Sequence, residues 1–230
     1  MAIKIAIEGS DGAGKKTQSG MLKDWFTESG KSVTSISFPR YKETAGGWAL
    51  FEALRGENAK AYDFANVDPY AASLFYSSDR RQSLPYLEEL IATHDVVIFD
   101  RYVESNLLHQ GGKFSTKEER QSFGTWLYEL EYNTLALPKP DIVVYLELPF
   151  KISQKRAKSR AEELGDKLDA VESDEEYLRN SHEAGIFYAQ DFKWLRIPCV
   201  GKDGSELTPE EVHQKVMNLP GLTPQGIIRE

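Results

Sequence analysis

Short apolar runs alternate with longer stretches of helical periodicity along this chain, and the alternation predicts an α/β fold. Five runs read as strands: Ile3–Ile7, Ser32–Ser37, Val96–Phe99, Ile142–Leu146 and Leu195–Val200. The third and fourth, VVIF and IVVYL, are apolar nearly throughout, as strands covered on both faces are. Between and after them, helices are predicted over Lys15–Glu28, Trp48–Leu54, Pro69–His94, Thr116–Asn133, Phe150–Glu163, Asp174–Asp191 and Pro209–Met217. Connections this long imply parallel strands joined by right-handed crossovers. The expected architecture is a five-stranded parallel sheet flanked by helices, with ligands at the carboxyl ends of the strands.

No repeat or linker divides the chain, so residues 1–230 read as one domain. LPKPD (137–141) ends a helix and starts a strand. The polar stretch Glu162–Glu172 surrounds Gly165 and reads as a surface insertion, a lid at about residues 150–172. The C-terminal LTPQGIIRE carries no interpretable signal.

Composition narrows the partners. A formal net charge of −8 argues against a broad nucleic-acid-binding face, so any polyanion must be held by a local cluster of Lys and Arg. Cys199 is the only cysteine, which excludes an intrachain disulfide and any multi-cysteine zinc site. The start, MAIKIAIEGSDG, does not resemble a signal peptide, and no run reaches the ~20 apolar residues of a membrane helix. A soluble protein of the reducing cytoplasm is expected.

GSDGAGKKT, Gly9 to Thr17, follows the first strand and opens the first helix. Gly9, Gly14 and Lys15 meet the fixed positions of the phosphate-binding loop G-x-x-x-x-G-K-[ST]. Such glycines let successive N–H groups face phosphate oxygens, the helix N-terminus adds partial positive charge, and the lysine a full one. The eighth position departs: it is Lys16 where a metal-binding hydroxyl is expected, with Thr17 one residue late.

Further cations cluster at the strand ends. IFDRYVESN places Asp100 and Arg101 after the third strand, the carboxylate suited to Mg²⁺ and the guanidinium to phosphate. FPRY (38–41) brings Arg40 to the end of the second. LFYSSDRR (74–81) puts Tyr76 and Arg80 on one helical face. That spacing suits a base-stacking aromatic with an arginine on a base carbonyl, and equally a core tyrosine with a solvated arginine. No N-K-x-D segment reads guanine, so the arginines suit a nucleotide acceptor better than a GTPase switch. A nucleotide-binding regulator and a P-loop hydrolase remain open at this point.

Six segments together resemble the thymidylate kinase family: EGSDGAGKKTQ (8–18), FPRYKETAGG (38–47), LFYSSDRR (74–81), DRYVESNLLHQGG (100–112), LPKPDIVVYLEL (137–148) and LDAVESDEEYL (168–178). The resemblance implies a P-loop NTPase fold, a homodimer, and transfer of the γ-phosphoryl of ATP to dTMP with Mg²⁺. It implies that Gly9, Ser10, Asp11, Gly12, Ala13, Gly14, Lys15, Lys16 and Thr17 bind ATP. Phe38, Arg40, Tyr76, Arg80, Arg101, Ser105, Asn106 and Gln110 are implied for dTMP. Asp11, Asp100 and Glu172 are implied for metal. Lys15, Arg101, Asp11 and the lid arginines Arg156 and Arg160, with Lys158 between them, are implied for the transfer itself. Gly12 in the loop agrees with members whose lid supplies the arginine. Besides Lys16, two positions depart from the family: His109 stands where a tyrosine often flanks the sugar, and Val171 replaces a common aromatic.

Overall fold

The structure, a computed structural model, describes residues 2–57, 59–164, 174–220, 222–224 and 226–227; for 157, 158, 160–164, 226 and 227 only the backbone is described. Five strands, β1 (Ile3–Gly9), β2 (Val33–Ser37), β3 (Val96–Asp100), β4 (Ile142–Glu147) and β5 (Leu195–Pro198), form one parallel sheet in the order β2-β3-β1-β4-β5. Side chains alternate between two cores. Ile5, Ile7, Val96, Ile98, Val144 and Leu146 pack on one face, while Ala6, Val97, Phe99 and Tyr145 pack on the other. Burial on both faces is why the central runs carry no polar alternation.

The helices are α1 (Lys15–Glu28), α2 (Ala45–Arg55), α3 (Ala59–Tyr62), α4 (Pro69–Gln82), α5 (Leu84–Thr93), α6 (Glu104–His109), α7 (Lys117–Tyr128), α8 (Phe150–Leu164), α9 (Glu175–Asp191) and α10 (Pro209–Met217). No described helix is long and apolar enough to cross a membrane. The helix expected over Pro69–His94 is two helices that meet at Ser83. Pro85 in the first turn of α5 has no N–H to continue the ladder of α4, so the chain restarts there. The segment expected as helix to Asn133 leaves α-geometry at Glu129 and continues as a π-helical turn, Glu129–Thr134. Short α6 lacks the length for a periodic signal. In the tail, Leu222–Thr223 pairs with Gly226–Ile227 as a small antiparallel ribbon.

Register decides where chemistry can gather. Ile7 pairs with Asp100 and Gly9 with Leu146, so the loops leaving β1 and β3 emerge side by side at the carboxyl edge, with the loop after β2 next to them. β1 lies between β3 and β4, which places the topological switch point at the phosphate-loop sequence.

Beside this edge α2 lies tightly on α4. A Cβ at Gly46 would stand 2.5 Å from the Asp79 backbone nitrogen and 2.9 Å from its Cα. Gly46→Ala should therefore push the helices apart, costing about 1–3 kcal/mol by overpacking. A thermal melt should record a fall of about 2–10 °C for a domain of this size. An unchanged melting temperature would mean that the two helices are free to separate.

Candidate functional site

The phosphate loop is shaped by glycine where no other residue fits. Gly9 has φ 152°, and a Cβ on it would stand 2.7 Å from the Leu146 carbonyl oxygen. Gly12 (φ 79°) and Gly14 (φ 90°) take left-handed conformations, and Gly14 caps α1 without a side chain. Lys15 folds back over this turn, its Nζ donating to the carbonyls of Gly9 at 2.8 Å and Ser10 at 2.9 Å. The ammonium also lies 3.7 Å from Oδ1 of Asp11. Burial and the neighbouring Arg101 push its pKa down to about 8, against the pull of Asp11, Glu8 and Asp100. Lys16 and Thr17 are exposed on the first turn of α1.

Opposite stands the corner after β3. Arg101 has φ 67°, a left-handed conformation that is uncommon for a side-chain-bearing residue and is held here by its surroundings. Its guanidinium is paired with Oδ1 of Asp11 and reaches within 3.4 Å of His109 Nε2. Burial alone would raise the Asp11 carboxyl; Arg101 and Lys15 outweigh it and hold that carboxyl well below the usual range. Asp100 adds its charge to both cations. Beneath the corner, Glu8 is fully enclosed and accepts from the Tyr102 backbone N–H at 2.7 Å and from Ser105 Oγ at 2.6 Å. Enclosure raises the Glu8 pKa, while those two donors and the nearby Arg101 and Lys15 pull it back.

The residues expected on the acceptor side lie on the elements around this corner. Arg40 is half-buried, donates to Ser83 Oγ at 3.0 Å, and lies over the Tyr86 ring at 4.8 Å. Tyr76 is half-buried against Phe64 in a cluster that also holds Tyr177 of α9. Asn106 Nδ2 and both polar atoms of the Gln110 amide are buried with no hydrogen-bond partner among the described residues. Phe38, expected to line the acceptor pocket, is buried against Tyr102. The Ser105 hydroxyl, also expected to face the acceptor, donates to Glu8. Arg80, read alternatively as solvated, is buried and paired with Glu131. Arg156 on α8 donates to Glu206 at 2.9 Å and reaches 3.4 Å from the Gly12 carbonyl, beside the phosphate loop. The side chain of Arg160, with Lys158, Gly165, Val171 and Glu172, lies outside the described residues.

A family model described as thymidylate kinase matches residues 7–215. The chain belongs to the thymidylate kinase family. A thymidylate kinase of Mycobacterium tuberculosis is 34% identical over 187 residues, covering 81% of this chain and 84% of that one. A probable thymidylate kinase of Thermococcus onnurineus is 30% identical over 217 residues, covering 94% and 95%. In fold, the chain is similar to the solved thymidylate kinase of Candida albicans, with a TM-score of 0.69 at 21% identity over 94% of this chain and 90% of that one.

Three contributors to this candidate site escape sequence reading. Glu8 gave a signal, a lone acid in an apolar strand, whose meaning depends on what the strand faces. Glu131 lies in a run of mixed polarity, and nothing in its spacing points at Arg80. Tyr177 comes from a helix whose distance from the loop in sequence hides its packing near His109, at 6.0 Å between rings.

His109 offers a pH test. Burial first, then the charges of Arg101, Lys15 and Lys113, lowers its pKa to about 4 despite Asp11. The unfolded chain takes that proton near pH 6.5, so between those values it binds more protons than the folded protein. His109 thus lets stability rise with pH through this window, fully by about pH 6.5, and lowers it toward about pH 4. Glu104, whose burial raises its carboxyl to about 7, acts in the opposite sense but is common to wild type and variant. Relative to His109→Phe, the wild type should lose urea midpoint between about pH 7 and about pH 5. An equal change in both proteins would contradict a neutral imidazole at His109.

Proposed function

We propose that this chain transfers the γ-phosphoryl group of ATP to the phosphate of dTMP, giving ADP and dTDP. The observation that carries this reading is a meeting of charges: the phosphate-loop lysine and the acceptor-side arginine both reach Oδ1 of Asp11. Two phosphates bound by these cations come together at one point, which is the requirement for direct transfer. In the reaction the bond from the γ-phosphorus to the bridging oxygen of ADP breaks as a bond to a dTMP phosphate oxygen forms. That acceptor oxygen is already ionised at neutral pH, so no strong base is needed. Catalysis then rests on in-line placement and on cations that stabilise the charge on the moving group.

Lys15 and the loop backbone from Gly9 to Thr17 hold the ATP phosphates. Arg40 and Arg101 take the dTMP phosphate, and Tyr76 stacks on the thymine. Arg80 donates to a thymine carbonyl, and the amides of Asn106 and Gln110 match the donor–acceptor edge of the base. Ser105 serves this pocket through Glu8. Arg156, set by Glu206 beside Gly12, is the lid arginine whose side chain is described; Arg160 is its companion in a lid at about residues 150–172 of one domain.

The donor set fits Mg²⁺. Asp11 and Asp100 offer hard carboxylate oxygens, and no three His, Cys, Asp or Glu side chains converge among the described residues. Mg²⁺ suits such a site because it takes one or two carboxylates together with water and phosphate oxygens. Bound there it supplies charge neutralisation between the phosphates. Asp11, Asp100 and Glu172 are the residues that would hold it, and Asp11 would then share its carboxylate with Arg101 and Lys15.

ADP formation with Mg·ATP should depend on dTMP, at the ~1–100 s⁻¹ typical of kinases, and be slower with dUMP, dCMP, dGMP, dAMP or no acceptor. Turnover only with another acceptor would overturn the base pocket; loss of ATP without acceptor would point to a hydrolase. Arg101→Ala should lower kcat/KM by about 10³-fold or more, by analogy with arginine-finger losses. A loss of less than about tenfold removes Arg101 from the transfer.

A homodimer is the assembly this surface supports. Trp48 and Phe51 on α2 and Leu74 and Phe75 on α4 are exposed, Trp48 by 61% and Leu74 by 52%. Exposed apolar side chains on two packed helices suit a self-complementary two-fold interface. Light scattering should give twice the chain mass for the wild type and a smaller mass for Leu74→Asp combined with Phe75→Asp. A wild-type monomer mass at working concentrations removes the dimer.

A further inference from the structure

Arg80 is held from behind. Its Nε donates to Oε2 of Glu131 at 3.0 Å, and its Nη2 to Oε1 in a shorter contact. Both side chains are buried, at 2% and 0% exposure. The Ser77 hydroxyl lies 2.6 Å from the same Oε1 and 2.9 Å from the Ser73 carbonyl, so its one proton is shared between them. Burial works against the Arg80 charge, and Glu131 more than restores it. Glu131 comes from the π-helical turn after α7, where its backbone carbonyl accepts from Leu137 N–H at 3.0 Å. The turn is thus tied down from outside while its carboxylate faces inward.

The geometry of the pair fixes more than charge. A carboxylate that engages Nε and Nη2 occupies the side edge of the guanidinium and sets the plane of the whole group. Nη1 donates one N–H to the Tyr102 carbonyl at 3.4 Å, at the acceptor corner, which leaves a second N–H on each of Nη1 and Nη2 for another acceptor. A guanidinium has donors and no acceptor. Fixed this way it accepts a base carbonyl and refuses an exocyclic amine at the same place.

We propose that Glu131 is a positioning residue for acceptor-base selection: it aims Arg80 so that a pyrimidine with a carbonyl is chosen over one with an amine. The inference rests on the reading of Arg80 as a base-contacting residue, and the experiment separates the two. KM for dTMP, the inhibition constant of dCMP against dTMP, and KM for ATP are measured in Glu131→Gln, Ser77→Ala, Arg80→Lys and the Arg80→Lys/Glu131→Gln double variant.

In Glu131→Gln the dTMP KM should rise about tenfold or more, the range of a hydrogen bond to a charged group. The ratio of the dCMP constant to the dTMP KM should fall by a similar factor, while the ATP KM stays within about twofold. Ser77→Ala should move the same ratio in the same direction by a smaller factor. Once Arg80 is lysine, adding Glu131→Gln should change the ratio less than about twofold, because the two residues act as one unit.

A Glu131→Gln protein with a lowered melting temperature but an unchanged ratio makes the pair structural only and overturns the inference. If that variant does not fold, Ser77→Ala decides, and an unchanged ratio there overturns it equally. An unchanged ratio in Arg80→Lys overturns the base-contact reading itself and this inference with it. A ratio lowered by Arg80→Lys but not by Glu131→Gln or Ser77→Ala overturns the inference alone.

Discussion

The Glu8 carboxylate, enclosed at the end of the central strand, is the contact on which the site depends. It has given up water, and what it receives in return is a backbone N–H from Tyr102 and a hydroxyl from Ser105. An unpartnered carboxylate there would cost several kcal/mol, so the corner after β3 cannot drift from β1 without exposing that cost. Arg101 lies at this corner, and its left-handed backbone persists because the residues on either side are anchored, Asp100 in the sheet and Tyr102 on Glu8. The same strand opens into the phosphate loop one residue after Glu8. One buried acid therefore couples the position of the glycine-rich loop after β1 to that of Arg101.

The fold was largely legible in the sequence, and for a definite reason. Strands buried on both faces must be apolar throughout, and VVIF and IVVYL could hardly be anything else. The phosphate loop was legible because its glycines answer a steric demand: Gly9 faces the Leu146 carbonyl with no room for a methyl group. What the sequence hid is of another kind. The break at Ser83 turns on a single missing N–H inside an otherwise continuous helical pattern. The burial of Phe38 and the bond from Ser105 to Glu8 could not be read from sequence, because both flank candidate site residues and only packing tells a wall from its support. Glu131 was invisible because its partner lies 51 residues away.

Net charge and local charge act at different ranges. A chain of formal charge −8 repels polyanions at a distance, yet its cations Lys15, Arg40, Arg101 and Arg156 line one edge of the sheet. Each is tied to a carbonyl, a hydroxyl or a carboxylate of the protein itself. These ties offset the repulsion between like charges and fix the side chains along that edge.

The Arg80–Glu131 pair also has a consequence for how such a chain can change over generations. Losing either member alone strands a charge in the protein interior, a defect far costlier than losing both. The two positions are thus bound to vary in step or not at all, and a single-nucleotide path from this pair to an apolar one crosses a poorly folded ancestor. Descendants with an altered base preference are expected to keep the pair and change what surrounds it.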